Sequence, residues 1–171
     1  MNGSEPVTTV AEMPAEQRLA ELGHTLRPDA VLPPGVEIPF QWVRVLGDRC
    51  VISGHGALDL AGAPEGPFGR VPDQVSPEDA QASALSAMLA ILGGVQRAIG
   101  DLDRIVGWTT VTGFVQAEPG YAQTTAVLNP VSELLLDVFG DAGRHARTAI
   151  GVAALPLNLP VVIAGECVIT T

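Results

Sequence analysis

Between Ser76 and Ile169 the apolar pattern switches between helical and strand periods three times, and that alternation leaves few folds open. Leu85, Met88, Leu89, Leu92, Val95 and Ile99 recur at helical spacing. Ahead of them Ser76-Pro77-Glu78-Asp79 supplies a cap, a first-turn proline and two acids near the positive end of the helix. Ile105 to Gln116 then alternates with period two, Val106, Trp108, Thr110, Thr112 and Phe114 on one face, which predicts a long strand. A second helical stretch, Tyr121 to Phe139, carries Val127, Leu128, Val131, Leu134, Leu135 and Val138. Pro130 predicts a kink or a division into two pieces at Asn129. Gly93-Gly94 costs the first helix about 1 kcal/mol per glycine, which predicts something packed closely against it.

Two strands close the chain after His145, one following Arg147 and one from Val161 to Ile169. Upstream, Phe40–Leu46 and Cys50–Ser53 flank Gly47-Asp48 and read as a hairpin. Pro14 to Leu22 reads as a short helix stopped by Gly23, and residues 1–12 as a loose polar tail. Prolines 28, 33, 34 and 39 hold the next segment extended, and residues 61–75 read as a Gly/Pro loop, a lid or more simply a mobile connection. The expected organisation is an N-terminal tail and helix over 1–35, then one domain over 36–171. Its order is β-β-α-β-α-β-β: an α+β sandwich with two helices on one face of a mixed sheet. The other sheet face also carries apolar side chains, so other subunits are expected to cover it.

Composition removes several functions. The net charge is −10 and the basic residues do not cluster, which argues against an extended nucleic-acid groove. All nine basic residues are arginine. Without lysine there is no protein amine for Schiff-base chemistry, no pyridoxal phosphate anchor and no P-loop. No Cys-x-x-Cys or His-Glu-x-x-His spacing provides a usual metal site. Cys50 and Cys167 read as small buried apolar residues in strands. No apolar run approaches the ~20 residues of a membrane span, and the N-terminus lacks the pattern of a secretory signal, so the default location is the cytoplasm.

Arg147 opens a strand in which almost nothing else is charged. Its planar fork suits a carboxylate, although on spacing alone an arginine at a strand end is more often a solvated edge charge. Ser53-Gly54-His55-Gly56 ends the second strand, where paired glycines suggest a close approach by a ligand or another strand. His55 is an acid or base by type, but a histidine in such a turn is more often structural.

Several of these motifs together resemble the Rid family (reactive intermediate deaminases, also called YjgF-like) over about residues 36–170. Arg147 followed by Val152-Ala-Ala-Leu155-Pro156 looks like the family's signature. Ser53-Gly54 matches its second-strand Ser-Gly, and Asn129 falls at its helix asparagine. His145-Ala146-Arg147 after Phe139-Gly140 looks like a longer branch of the family. The resemblance implies a chorismate-mutase-like fold, a homotrimer with three interfacial clefts, and no cofactor. It implies that the arginine holds the carboxylate of a 2-imino acid or enamine. A glutamate then helps water attack the C=N carbon, releasing ammonia and a 2-keto acid. Here that glutamate position carries Val162, and the family's pocket tyrosine maps to Phe40. Glu166 shares the strand face of Val162 but lies four residues on, about 13 Å away. Only a register shift at Leu157–Pro160 would bring it into place.

Two readings follow. In the first, the protein is an enzyme acting on a small anionic imine or enamine, with Arg147 orienting it. Asn129 and groups near Ser53 and Gly54 hydrogen-bond it, and His55, His145 or Glu166 handles protons. A dry pocket lined by Val162 and Phe40 suits dehydration, cyclisation or tautomerisation as well as hydrolysis. In the second, the trimer binds a carboxylate metabolite or a partner protein without turnover. The enzyme readings rank first, and RNA cleavage, a label given to some family members, ranks well below both.

Overall fold

The computed structural model describes residues 13–171, so the tail read for residues 1–12 lies outside the described residues. The elements follow in the order α1 (Ala15–Glu21), β1 (Val43–Leu46), β2 (Arg49–His55), α2 (Pro77–Ile99) and β3 (Ile105–Gln116). Then come α3 (Thr124–Val127), α4 (Asn129–Phe139), β4 (Ala146–Val152) and β5 (Val161–Ile169). The strands join in the order β1-β2-β5-β3-β4. β3 and β4 run parallel, and β5 enters antiparallel between β2 and β3.

Local signals set these boundaries. Ser76 Oγ accepts the Asp79 N–H at 3.0 Å at the start of α2, and Gly100, at φ +88°, ends it. The Gly93-Gly94 pair has the expected neighbour: a Cβ on Gly93 would run into the carbonyl oxygen of Arg27. That segment is tied to the helix by the Arg27 N–H on the Leu89 carbonyl (3.3 Å) and by Arg97 Nη1 on the Arg27 carbonyl (2.9 Å). Pro130 divides the second helical stretch, which breaks at Leu128. By length and composition α2 is apolar enough to cross a membrane, yet 72% of its apolar window is buried inside the protein, as in a core helix.

α2 and α4 cover one face of the sheet, where Ile52, Val111, Val115, Val161, Ile163 and Cys167 are buried beneath them. Cys50 and Cys167 sit opposite each other on β2 and β5 as buried free thiols. The other face leaves Val51 and Ile150 exposed.

Two expectations need correction. Trp108 does not share a face with Thr110, Thr112 and Phe114. The β3–β5 register shifts between Ile105 and Gly107 and again between Trp108 and Thr110, which turns Trp108 into the core beside Phe139. The 61–75 segment is not a free lid: Val71 N–H donates to the Gln116 carbonyl (2.9 Å), the Val71 carbonyl accepts from Glu118 N–H (2.8 Å), and Val71 and Val75 are buried.

Candidate functional site

β4 is an edge strand lying beside α4, so an arginine near its start meets the first turn of that helix. Arg147 Nη1 donates to Ser132 Oγ at 3.0 Å, and Nη2 donates to Asn129 Oδ1 at 3.2 Å and to the Thr125 carbonyl at 3.4 Å. Asn129 and Ser132, three residues apart, present their polar atoms from one side of α4. All three acceptors are neutral, and among the described residues Arg147 enters no ion pair. Its position is fixed while its charge is left for an anion.

His145 belongs to the same group. Its Nδ1 lies 2.7 Å from the Gly143 carbonyl and its Nε2 lies 3.0 Å from Ser132 Oγ. A carbonyl oxygen only accepts, so Nδ1 carries the hydrogen, and in the neutral ring Nε2 offers its lone pair to the serine hydroxyl. Gly143 keeps this turn close to α4, since a Cβ there would strike the backbone of Leu135.

A second group forms on the β1–β2 side. Ser53 Oγ donates to the Gln41 carbonyl at 2.7 Å, and Phe40 packs edge-on against Trp42 with ring centroids 5.0 Å apart. A Cβ on Gly54 would come within 2.9 Å of Val162 Cγ1, so the close approach expected at this glycine is made by a strand. Phe40 and Ser53, with Arg44 and Val51, line an open cavity of about 530 Å³.

Within one chain the two groups do not meet. Arg147 is opposite Val111 and Val162 is opposite Phe114, on the two strands flanking β3. Val111 and Phe114 are three positions apart, an odd step along the strand, so Arg147 and Val162 leave the sheet on opposite faces.

The remaining sequence candidates lie elsewhere. The β3–β5 register is continuous from Val115↔Val161 to Val111↔Gly165, so no bulge in this stretch of β5 draws Glu166 back toward Val162, four residues before it. The turn before β5 is clamped by the buried Gln116 amide, whose Oε1 accepts the Leu155 N–H (2.7 Å) and whose Nε2 donates to Asn158 Oδ1 (2.6 Å). Glu166 accepts two hydrogen bonds from Arg49, which hold its carboxyl below the usual carboxylate range. His55 is buried, tilted against Trp42 at a centroid distance of 5.1 Å, with Nδ1 2.7 Å from the Ser53 carbonyl. Burial, more than any neighbour, lowers its pKa.

Ser132 was not singled out by the sequence. Its one signal is its spacing of three from Asn129 on a predicted helix, which places the two side by side. Glu16, Asp101 and Asp103 bring carboxylates close enough to hold a metal ion. Glu16 and Asp103 already serve as backbone caps, accepting from Leu102 N–H (3.0 Å) and Ala15 N–H (3.0 Å).

The architecture recurs in solved structures. Protein Atu1372 of Agrobacterium tumefaciens, of unknown function, is 33% identical with a TM-score of 0.81, over 91% of this chain and 92% of that one. A Shewanella oneidensis protein described as a candidate endoribonuclease is 24% identical with a TM-score of 0.81, over 92% of this chain and all of that one. RidA from an Antarctic Psychrobacter is 22% identical with a TM-score of 0.55, over 82% of this chain and 94% of that one. The chain belongs to the Rid, or YjgF-like, family. Among curated proteins, TCP17 of Trypanosoma cruzi is 36% identical over 104 residues, 60% of this chain. The chain spans 63% of that protein's length. No family model matches.

The mixed sheet with its helices on one face is the chorismate-mutase-like sandwich of the Rid family. The Rid signature occupies β4 and the turn after it, from Arg147 to Leu155-Pro156. At the family's glutamate position β5 carries the side chain of Val162, against Gly54.

Proposed function

We propose that this Rid protein is an enzyme acting on a small, carboxylate-bearing imine or enamine, by hydrolytic deamination or a related dehydration or cyclisation. The observation that carries this reading is Arg147: a guanidinium fixed by Ser132, Asn129 and Thr125, with no carboxylate beside it among the described residues. Nη1 has two hydrogens and gives one to Ser132, so the other is available for a substrate carboxylate.

The placement of the two groups of residues supports a homotrimer with clefts between subunits. Arg147, Asn129, Ser132 and His145 lie at the β4 edge, while Phe40, Ser53, Gly54 and Val162 lie across the sheet. A cleft in which one copy's first group faces another copy's second group unites them. The exposed apolar side chains of the outer sheet face support the same assembly.

Val162 and Phe40 also favour a second reading, a trimer that binds a carboxylate metabolite or a partner without turnover. Loss of a general acid–base group typically lowers rate about 10²–10⁴-fold. The name endoribonuclease belongs to the Shewanella protein, and the charge of −10 gives RNA cleavage little support here.

The deciding experiment follows ammonia and keto-acid release from freshly generated 2-iminobutyrate and similar imino acids, comparing wild type with Arg147→Ala. Turnover lost in the variant is the expected result. A wild type that binds 2-oxobutyrate through Arg147 without accelerating hydrolysis, and yields no cyclised product, establishes the binding reading instead.

A further inference from the structure

Resting on the imine-hydrolysis reading, we propose that Ser132 and His145 form the proton relay of this site, taking over the work of the glutamate replaced by Val162. The other proton-handling groups are elsewhere. Glu166 is engaged on both oxygens by Arg49, and His55 is buried against Trp42. His145 is linked to Arg147 through a single atom, Ser132 Oγ, 3.0 Å from His145 Nε2 and 3.0 Å from Arg147 Nη1.

The directions of these bonds define the relay. Gly143's carbonyl, 2.7 Å from Nδ1, keeps the hydrogen on that nitrogen and leaves the Nε2 lone pair facing the serine. The serine hydrogen points to Nε2, and Arg147 donates to the oxygen from the other side. That cationic donor stabilises negative charge developing on Oγ as it passes a proton. A nucleophile or water activator held by a base, with the base oriented by a third group, is the arrangement that such catalysis requires. A carboxylate taken on the remaining Nη1 hydrogen lies beside Ser132 Oγ, which brings the adjacent C=N carbon near the relay.

The steps balance without a co-reactant. Water adds to the iminium carbon, forming the C–O bond while the C=N π pair moves to nitrogen and neutralises it. The water proton passes to Ser132 Oγ as the serine proton passes to His145 Nε2. The proton then returns through Ser132 to the amine nitrogen, the C–N bond breaks with its electron pair on ammonia, and the carbinol hydroxyl passes its proton through Ser132 to His145 Nε2, from which ammonia carries it away as ammonium, leaving the keto group.

The test measures turnover of 2-iminobutyrate from pH 5 to 9 and binding of 2-oxobutyrate, for wild type, Ser132→Ala, Ser132→Thr, His145→Gln and Arg147→Ala. The relay predicts that Ser132→Ala and His145→Gln lower kcat by about 10²-fold or more. In His145→Gln KM and 2-oxobutyrate binding change little and the acid limb of the kcat/KM profile disappears, whereas Ser132→Ala, which also removes an acceptor of Arg147, weakens binding as well. Ser132→Thr, which keeps the hydroxyl, retains at least about a tenth of wild-type turnover. Arg147→Ala loses binding as well as turnover. If Ser132→Ala does not fold, the threonine variant and the His145→Gln pH profile still decide. Wild-type turnover that persists within about threefold in His145→Gln, with its acid limb intact, overturns the relay and leaves the imine reading standing. A wild type without turnover removes that reading and the relay with it.

Discussion

Arg49 grips both oxygens of Glu166, donating from Nε to Oε1 at 2.7 Å and from Nη2 to Oε2 at 2.9 Å across β2 and β5. This pair removes Glu166 from the choice of proton-handling groups, because a carboxylate held ionised by a guanidinium is a weak base. Glu166→Gln is therefore expected to leave 2-iminobutyrate turnover within about threefold of wild type, below the 10²-fold scale of a lost acid–base group. The pair also has a pH signature. The folded pKa of Glu166 is depressed, by the Arg49 hydrogen bonds first, so its contribution to stability is present above the unfolded carboxylate pKa. That contribution disappears as pH falls through the folded pKa. Wild type is expected to melt slightly above Glu166→Gln at pH 7, with the gap closing toward pH 3; a gap that widens on acidification contradicts this account.

Arg147 is expected to set carboxylate affinity. Hydrogen bonds to charged groups contribute about 1.5–3 kcal/mol, so Arg147→Ala weakens 2-oxobutyrate binding by roughly 10- to 150-fold. Arg147→Lys recovers little of this, because an ammonium lacks the planar fork that reaches Ser132, Asn129 and a ligand together. Calorimetric titration of the three proteins tests the point. Equal affinity in wild type and the alanine variant assigns Arg147 to an ordinary edge charge.

The sequence showed the elements better than it showed what they bring together. The bounds of β3 matched its alternating run, and the break before Asn129 followed from Pro130, because both are properties of adjacent residues. The face of Trp108 was misread because a register shift depends on the partner strand β5, which lies more than fifty residues further on. Ser132 was missed for a related reason. A serine within a helix carries no signal of its own, and its meaning comes from the parallel pairing that sets β4 beside α4. The Arg49–Glu166 pair, 117 residues apart in sequence, was equally invisible until β5 was placed between β2 and β3.

Gly93 and Gly94 give a paired test of close packing. In an open helix each glycine-to-alanine change would gain up to about 1 kcal/mol. At Gly93 the new Cβ meets the backbone carbonyl of Arg27, which is held by Arg97 and cannot retreat cheaply. At Gly94 it comes 3.3 Å from the Val43 Cγ2 methyl, a side-chain atom able to yield. Gly93→Ala is expected to destabilise by about 1–3 kcal/mol, the usual cost of overpacking, while Gly94→Ala stays within about 1 kcal/mol of wild type. Urea unfolding of both variants measures the difference, and equal midpoints would show that the Arg27 segment moves freely.

His55 separates a structural histidine from a catalytic one by its pH dependence. Its folded pKa is depressed, chiefly by burial, so the unfolded chain takes up a proton near the ordinary pKa of about 6.5 while the folded protein resists it. Stability is then fully present above about pH 6.5 and falls as the solution is acidified toward the folded pKa, by at most about 1.4 kcal/mol per pH unit for one proton. His55→Phe keeps an aromatic ring against Trp42 but loses the hydrogen bond to the Ser53 carbonyl, at a cost of about 1 kcal/mol at pH 7.5. The variant is expected to start lower and to lose less stability than wild type between pH 7.5 and 5.5. Because the two proteins differ only at position 55, the difference between the two pH slopes isolates His55. Identical slopes would mean that His55 titrates freely in the folded protein, as an accessible acid or base would.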